Sequence, residues 1–273
     1  MTMLSLDVAI STHLPEGIRK VEKNLPSPKR NVRYIVSWQD HQGSDIPPAL
    51  IQRQDLTIYR FEKSGLSNNR NNAIKYCGGD IILISDDDLR YVDDFASLIL
   101  HVFEEDKKLD LAVFKIKYDS PKVYPEKDQI LKLPYPKEFY VSSVEIAFRK
   151  EKLRDLKFWS ELGLGNSFLG CGEDEFFFFS AIKRGFNCKF INKYIAVHKG
   201  STTGDKVNTS VLRGQGFVIS AVYPFSFIWR LFLKAIRLKN NKGVRFPKAL
   251  INLYKGALYY KVKRKSIPSC CRW

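Results

Sequence analysis

From residue 206 to residue 273 the chain has no aspartate or glutamate, yet it carries 15 lysines and arginines there; residues 1–205 hold 30 basic and 29 acidic residues. The net charge of +16 therefore divides into a nearly neutral body and a strongly basic tail. That division excludes a uniformly basic nucleic-acid binder, and no DNA- or RNA-binding motif accompanies the charge, so no nucleic acid is expected as partner. Cysteine is scarce: Cys77, Cys171, Cys188, Cys270 and Cys271 are odd in number and lack CxxC spacing. A reduced cytosolic compartment fits this better than a disulfide framework does. No apolar run is long enough to span a bilayer. The 16 uncharged residues from Gly214 to Trp229 include Pro224 and fall short of the roughly 20 required. The opening MTMLSLDVAI has no basic n-region and places Asp7 inside its apolar stretch, so it reads as a first strand, not a signal peptide. Internal repeats are absent too.

What is present is a globular composition, 44% hydrophobic and 13% aromatic over 273 residues. Short runs rich in apolar and β-branched residues at Leu4 to Ser11, Val32 to Ser37, Leu56 to Phe61, Ile81 to Ser85 and Leu111 to Lys117 alternate with helical faces. Ile18, Val21 and Leu25 form one such face, and Phe95, Leu98, Ile99, Val102 and Phe103 another. Strands alternating with helices predict an α/β fold with a mostly parallel central sheet flanked by helices. The pattern breaks over Asp119 to Lys137, where four prolines interleave with tyrosines and lysines. Beyond it come an expected strand at Ile146 to Arg149, a Gly-rich loop from Gly163 to Gly172, a helix from about Glu173 to Arg184 closed by Gly185, and two short strands, Lys189 to Ile191 and Tyr194 to His198.

Three constellations carry chemistry. The apolar run Ile81 to Ser85 discharges into Asp86, Asp87 and Asp88. In open α/β sheets the C-terminal strand ends are where ligands bind. Adjacent carboxylates repel one another, and this density of hard oxygens suits Mg²⁺ or Mn²⁺ bridging to a phosphorylated ligand. Upstream, GLSNNRNNA (residues 65–73) is a loop entering a helix with Arg70 on its first turns. Taken alone it is a capped helix with a surface arginine; directly before a strand ending in three aspartates it reads as a phosphate site. Downstream, GCGEDE opens the aromatic helix at Glu173. Acids there are ordinary dipole partners, and one of them is also placed to act as a general base toward an acceptor hydroxyl. His198, at a strand end, is structural on its own and a metal or diphosphate ligand beside the aspartates.

In this order the motifs resemble the family 2 inverting glycosyltransferases of the GT-A fold: a first strand opening on Ser11 and Thr12, the loop-helix GLSNNRNNA, a DxD-type motif, a GED-type motif at residues 172–174 and a strand-terminal histidine. The resemblance covers roughly residues 4–200. It implies transfer of a sugar from a nucleotide-diphosphate-sugar donor to an acceptor hydroxyl with inversion, dependent on Mn²⁺ or Mg²⁺. By the same resemblance Asp86 and Asp88 are the metal-binding pair, with His198 as a further ligand. Ser11, Thr12, Asp40, Arg70, Asp86 and Asp87 would bind the donor. Asp174 would be the base, with adjacent Glu173 the alternative. Two departures stand out: Ser37, Trp38, Gln39 and Asp40 replace the usual acidic pair followed by Gly and Ser, and Phe176 stands where many relatives carry an acid.

The expected organisation is a catalytic domain over residues 1–205, with a nucleotide-sugar half to about 117 and an acceptor half beyond it, followed by a basic amphipathic helical tail over 206–273. In that tail Phe225, Ile228, Trp229, Phe232 and Ile236 share one helical face, while Arg230, Lys234 and Arg237 recur on another. Pro247 to Lys265 repeats the theme. Such helices suit an anionic membrane surface, with the plain alternative that they pack on the body. The reading is a cytoplasmic protein, peripheral on the inner face of the membrane, acting on a glycan or lipid-linked acceptor as in bacterial surface polysaccharide synthesis. Two competing functions are a nucleotidyltransferase on a related fold and a nucleic-acid-binding protein using the tail. The first lacks the Gly-rich basic signature after strand one, where Ser11, Thr12, His13 and Leu14 stand.

Overall fold

A computed structural model describes residues 3–120, 122–133, 139–153, 156–198, 207–267 and 269. Cys270 and Cys271, the segment KGSTTG after His198, and Pro121, Pro134 and Pro136 lie outside the described residues.

The chain divides into two compact units. The first comprises Met1–Ser64, Asn68–Leu156 and Ala181–Ser201. It is built on a nine-stranded sheet. In chain order the strands are β1 (Leu6–His13), β2 (Val32–Gln39), β3 (Leu56–Phe61), β4 (Ile81–Asp86), β5 (Leu89–Tyr91), β6 (Leu111–Tyr118), β7 (Gln129–Ile130), β8 (Ile146–Arg149) and β9 (Cys188–His198). Their spatial order is β3-β2-β1-β4-β8-β6-β9-β5, with β7 paired on β9. The long ladders joining β3, β2, β1 and β4, and that joining β6 to β9, are parallel, while the antiparallel pairings of β5, β7 and β8 are short. Near-continuous burial along β1, β2 and β4 is what a strand covered on both faces requires, and it explains their unbroken apolar runs. Helices α1 (Leu14–Asn24) and α4 (Phe95–Glu105) follow the expected periodic faces, burying Ile18 and Val21, and Phe95, Ile99 and Phe103.

Asp7 lies fully buried in β1, where a lone carboxylate would be costly. Arg33 engages both of its oxygens, at 3.0 and 2.8 Å, and the Gly78 and Gly79 amides donate to it. The charged interruption in the first apolar run is thus a satisfied core ion. The two short strands expected over 189–198 are one strand, β9. Its register against β6 shifts between Val113 and Lys115, and Asn192 in the shifted stretch accepts a hydrogen bond from Lys115 Nζ at 3.0 Å.

The second unit comprises Gly65–Ser67, Lys157–Ser180 and Thr202–Trp273. Its helices are α6 (Thr209–Val222), α7 (Phe227–Lys242) and α8 (Phe246–Lys263), together with the first part of α5 (Glu173–Lys183); short α2 (Pro48–Ile51) and α3 (Leu66–Tyr76) complete the count of described α-helices. Leu212, Leu231, Ala235, Leu238, Ala249, Leu253 and Ala257 form its core. The boundary expected at 205/206 is therefore not where the compact units divide. The basic segment is grouped with the Gly-rich loop and the GED helix. Two close backbone approaches hold its α6 against α8. A Cβ on Gly216 would stand 1.9 Å from the Leu253 carbonyl oxygen, and one on Gly256 1.8 Å from that of Arg213. Only glycine permits α6 and α8 to meet this closely. Trp159 stacks on Phe217 at 4.9 Å, and Phe217 meets Tyr260 edge-on at 5.2 Å, so aromatic side chains from the loop and the tail fill one core. Phe176 is buried there against Trp159 and Phe217. Its place in the GED motif is a packing position.

Candidate active site

Parallel pairing aligns the C-terminal ends of β2, β1 and β4. Ser11 is the register partner of both Ser37 and Asp86, so these three residues form a row across the sheet edge. The loops leaving this edge are conformationally unusual: Leu14 after β1 and Asp40 and Gln42 after β2 all adopt left-handed backbone without being glycine (φ 64°, 48° and 51°). Backbone strain of this kind gathers where a site is shaped. Trp38 continues β2 as a fully buried core residue and donates from Nε1 to the Leu14 carbonyl at 2.8 Å, which holds one of those turns. Asp40 is exposed just beyond β2, 3.6 Å from His13 Nε2. Ser11 is buried, and its Oγ has no hydrogen-bond partner among the described residues.

The three aspartates face different partners. Asp86, at the end of β4, faces Arg70 of α3, whose Nη2 lies 3.3 Å from both carboxylate oxygens. The Arg70 side chain is 3% exposed, so the pair is held from within. Asp87 turns toward β1 and α1: Thr12 donates to it at 2.6 Å, Lys20 approaches to 3.7 Å, and Asn24 donates to its backbone carbonyl at 3.0 Å. Gly17 makes this possible, since a Cβ there would fall 2.1 Å from Thr12 Oγ1 and 2.8 Å from Asp87 Oδ2. Burial raises the Asp87 carboxyl to about 6, although the Thr12 hydrogen bond and Lys20 pull the other way. Asp88 faces His198, with Oδ1 and Nε2 3.3 Å apart. The antiparallel pairing of β5 with β9 creates that contact, because Leu89 is the register partner of His198. Burial pushes Asp88 upward, but His198, Lys20 and a backbone hydrogen bond together outweigh it and the carboxyl lies below its ordinary value. His198 is raised by the same contact, against its own burial. With side chains 31% and 34% exposed, Asp86 and Asp88 are more open than Asp87 at 15%.

Asp88 Oδ1 and His198 Nδ1 are buried without a hydrogen-bond partner among the described residues. The 3.3 Å contact between Asp88 and His198 is thus ionic in distance but poorly directed as a hydrogen bond. An under-satisfied carboxylate beside an imidazole fits one edge of a Mg²⁺ or Mn²⁺ shell. No group of three acidic, histidine or cysteine side chains converges as a cage among the described residues. Asp86 is turned to Arg70 and does not complete a triad with Asp88 and His198.

In the second unit, Glu173 and Asp174 of the GED motif lie with Glu175 in the first turn of α5, an N-terminus rich in negative charge. Glu173 is buried, and a Cβ on Gly163, itself at φ +103°, would come within 2.9 Å of its carboxylate. Asp174 is only partly buried. Lys20, Asn24 and Gly17 escaped the sequence reading, although their spacing at i, i+3 and i+7 on α1 is a legible helical stripe. So did Asn69, which donates to the Thr12 carbonyl at 2.8 Å, and Asn72, which donates to Ser37 Oγ at 2.8 Å; both lie in GLSNNRNNA and brace the row of strand ends.

Residues 26–160 match the family model for glycosyl transferase family 2. The chain carries a family 2 glycosyltransferase domain. The matched segment includes Asp40, Arg70 and the three aspartates and stops before the GED motif and His198. No curated protein matches the sequence. Among solved structures the chain resembles S. aureus TarS 1-349, with a TM-score of 0.63 and 16% identity over 95% of this chain and 92% of that one. The same protein in complex with UDP gives 0.62 at 16% identity and the same coverage. In complex with UDP-GlcNAc it gives 0.58 at 16% identity, covering 96% of this chain and 73% of that one. At this identity the likeness establishes the GT-A fold.

Proposed function

We propose that this family 2 glycosyltransferase moves a sugar from a nucleotide-diphosphate-sugar donor to an acceptor hydroxyl, inverting the anomeric configuration. The observation that carries the donor reading is the row Ser37–Ser11–Asp86 at the C-terminal sheet edge, flanked by the buried Arg70 and by Asp88 with His198. That TarS crystallises with UDP and with UDP-GlcNAc makes uridine-linked sugars the first donors to try. Ser11, Thr12 and Asp40 border the place for nucleoside and ribose, and Arg70 with Asp86 borders that for the diphosphate. Asp88 and His198 would hold Mn²⁺ or Mg²⁺. When bound, the cation would offset the charge that develops on the departing diphosphate.

Asp174 is the proposed base: it takes the acceptor hydroxyl proton as that oxygen bonds to the anomeric carbon, and the bond from carbon to the diphosphate oxygen breaks on the opposite face. Its partial exposure supports it over Glu173, which is packed against Gly163. The acceptor is proposed to be a glycan or a lipid-linked glycan reached at the cytoplasmic face of a membrane. No helix among the described residues is long and apolar enough to cross one.

The deciding experiment is release of nucleotide diphosphate from a panel of nucleotide sugars with Mn²⁺ or Mg²⁺, with and without chelator. Metal-dependent release from one donor is expected. Absence of both binding and release across the panel would overturn the reading.

A further inference from the structure

Helix α7 is apolar on two sides. Leu231, Ala235 and Leu238 face the core of the second unit. Phe225, Ile228, Trp229, Phe232 and Leu233 are exposed, Phe225 completely and Ile228 and Trp229 by about two thirds (66% and 63%). The face expected from sequence to be the apolar side of an amphipathic helix is thus additional to the one that packs. A shallow hollow of about 400 Å³ lined by Phe225, Ser226, Ile228, Trp229 and Phe232 opens on this surface.

The corner joining α6 to α7 presents these side chains in a fixed way. The turn closes through Ser226 N to the Tyr223 carbonyl at 3.2 Å and Arg230 N to the Ser226 carbonyl at 3.1 Å. Arg230 then folds back: its guanidinium lies 3.7 Å from the Tyr223 ring centre and donates from Nε to Ser226 Oγ at 3.1 Å. Trp229 stacks on Phe232 at 5.7 Å, and Lys261 reaches over the Phe227 ring at 4.7 Å. Large apolar side chains at the tip are therefore ringed by cations. No acid lies anywhere from residue 206 to residue 273. That charge selects the occupant. A second copy of the same surface would set like charges against each other, whereas a bilayer bearing anionic phosphates offers both an apolar interior and the opposite charge.

We propose that the α6–α7 corner inserts into the interface of an anionic lipid bilayer, with Phe225, Ile228 and Trp229 entering the acyl boundary and Arg230, Lys234 and Lys261 engaging lipid phosphates. The inference rests on the membrane-side reading of the acceptor only for its biological setting. Attachment is read from vesicles and not from turnover, so either can fail while the other stands.

The test is flotation of the full chain with vesicles of phosphatidylcholine alone and of phosphatidylcholine with phosphatidylglycerol. The chain is expected to float with the anionic vesicles at low salt and to lose much of that binding at high salt. The double variant F225S/W229S should bind the anionic vesicles at least about tenfold more weakly, since two buried aromatic side chains are removed from lipid. The variant R230Q/K234Q should lose the preference for anionic lipid. Phe225, Trp229 and Arg230 are exposed and Lys234 is half-buried, none of them in the core, so circular dichroism and donor hydrolysis should match the unaltered chain. Brominated lipid should quench emission that the W229F variant lacks. Undiminished flotation of F225S/W229S, equal binding to both vesicle types, no binding at all, or a lipid-free dimer that F225S/W229S abolishes would each overturn the proposal.

Discussion

In the sheet unit, charge is neutralised one pair at a time: Asp7 by Arg33, Asp86 by Arg70, Asp88 by His198, and the fully buried Glu145 by Lys122 and the Tyr124 hydroxyl. In the helical unit, apart from the buried Glu173, the interior is settled by shape, through Gly216, Gly256 and the packed rings of Trp159, Phe217 and Tyr260. Buried ions demand partners because an uncompensated charge is costly, whereas close-packed helices demand only room. The first arrangement can respond to ligand and pH. The second makes a rigid support for the GED turn. In the function proposed above, the first would bind the donor and the second would carry the base.

The comparison is tested most severely at Asp174. If the helical unit supplies the base and the sheet unit the donor site, Asp174→Asn should lower transfer by about 10²–10⁴-fold while nucleotide-sugar affinity stays within error. Calorimetric titration with the donor beside a transfer assay checks it. Loss of donor affinity in that variant would break the assignment of one task to each unit. Next in size is a shape change. Gly256→Val drives a side chain into the Arg213 carbonyl and should destabilise the protein by about 3 kcal/mol, seen as a lowered urea midpoint. Gly243 has a positive φ but open space around it, so Gly243→Ala should cost only about 1 kcal/mol. A third test removes one partner of a pair. Asp88→Ala and His198→Ala should each weaken Mn²⁺ binding on the order of 10–100-fold, with the helical unit unaffected by circular dichroism.

Much of the sheet unit was legible because strands buried on both faces write themselves as continuous apolar runs. The row of strand ends and the aspartates after β4 follow directly. Strands β5 and β7 were not visible, being three and two residues long, and the irregularity around Asn192 made one strand look like two. Which aspartate meets which partner depended on tertiary pairing: His198 reaches Asp88 only because β5 lies on β9. The helical unit was misread for a different reason. Its lysines and arginines dominate the composition, so residues 206–273 looked like an appendage, while the glycines that let α6 meet α8 carry no charge and no periodic signal. Composition reports the surface; these contacts are made by what is missing from a side chain.

A last test separates Asp87 from Asp88 and His198 by pH in the metal-free protein. Asp87 is raised from 3.8 to about 6, so folding favours its protonated form. Its contribution to stability is complete below the unfolded value of 3.8 and is lost as pH rises toward 6, on the order of 2 kcal/mol. Asp88 is lowered, so its contribution disappears only below 3.8. His198 is raised above 6.5, and its contribution is lost only as pH climbs beyond that value. The windows do not overlap. Urea unfolding in chelator should therefore show stability declining between about pH 4 and pH 6, a decline that Asp87→Asn abolishes and Asp88→Asn leaves in place. Thr12→Val should move the decline to higher pH, because the hydrogen bond that favours ionised Asp87 is gone. A decline that instead follows Asp88 would mean the three carboxylates titrate as one coupled cluster, and the contrast between paired ions and packed shape would fail at the point where the donor is held.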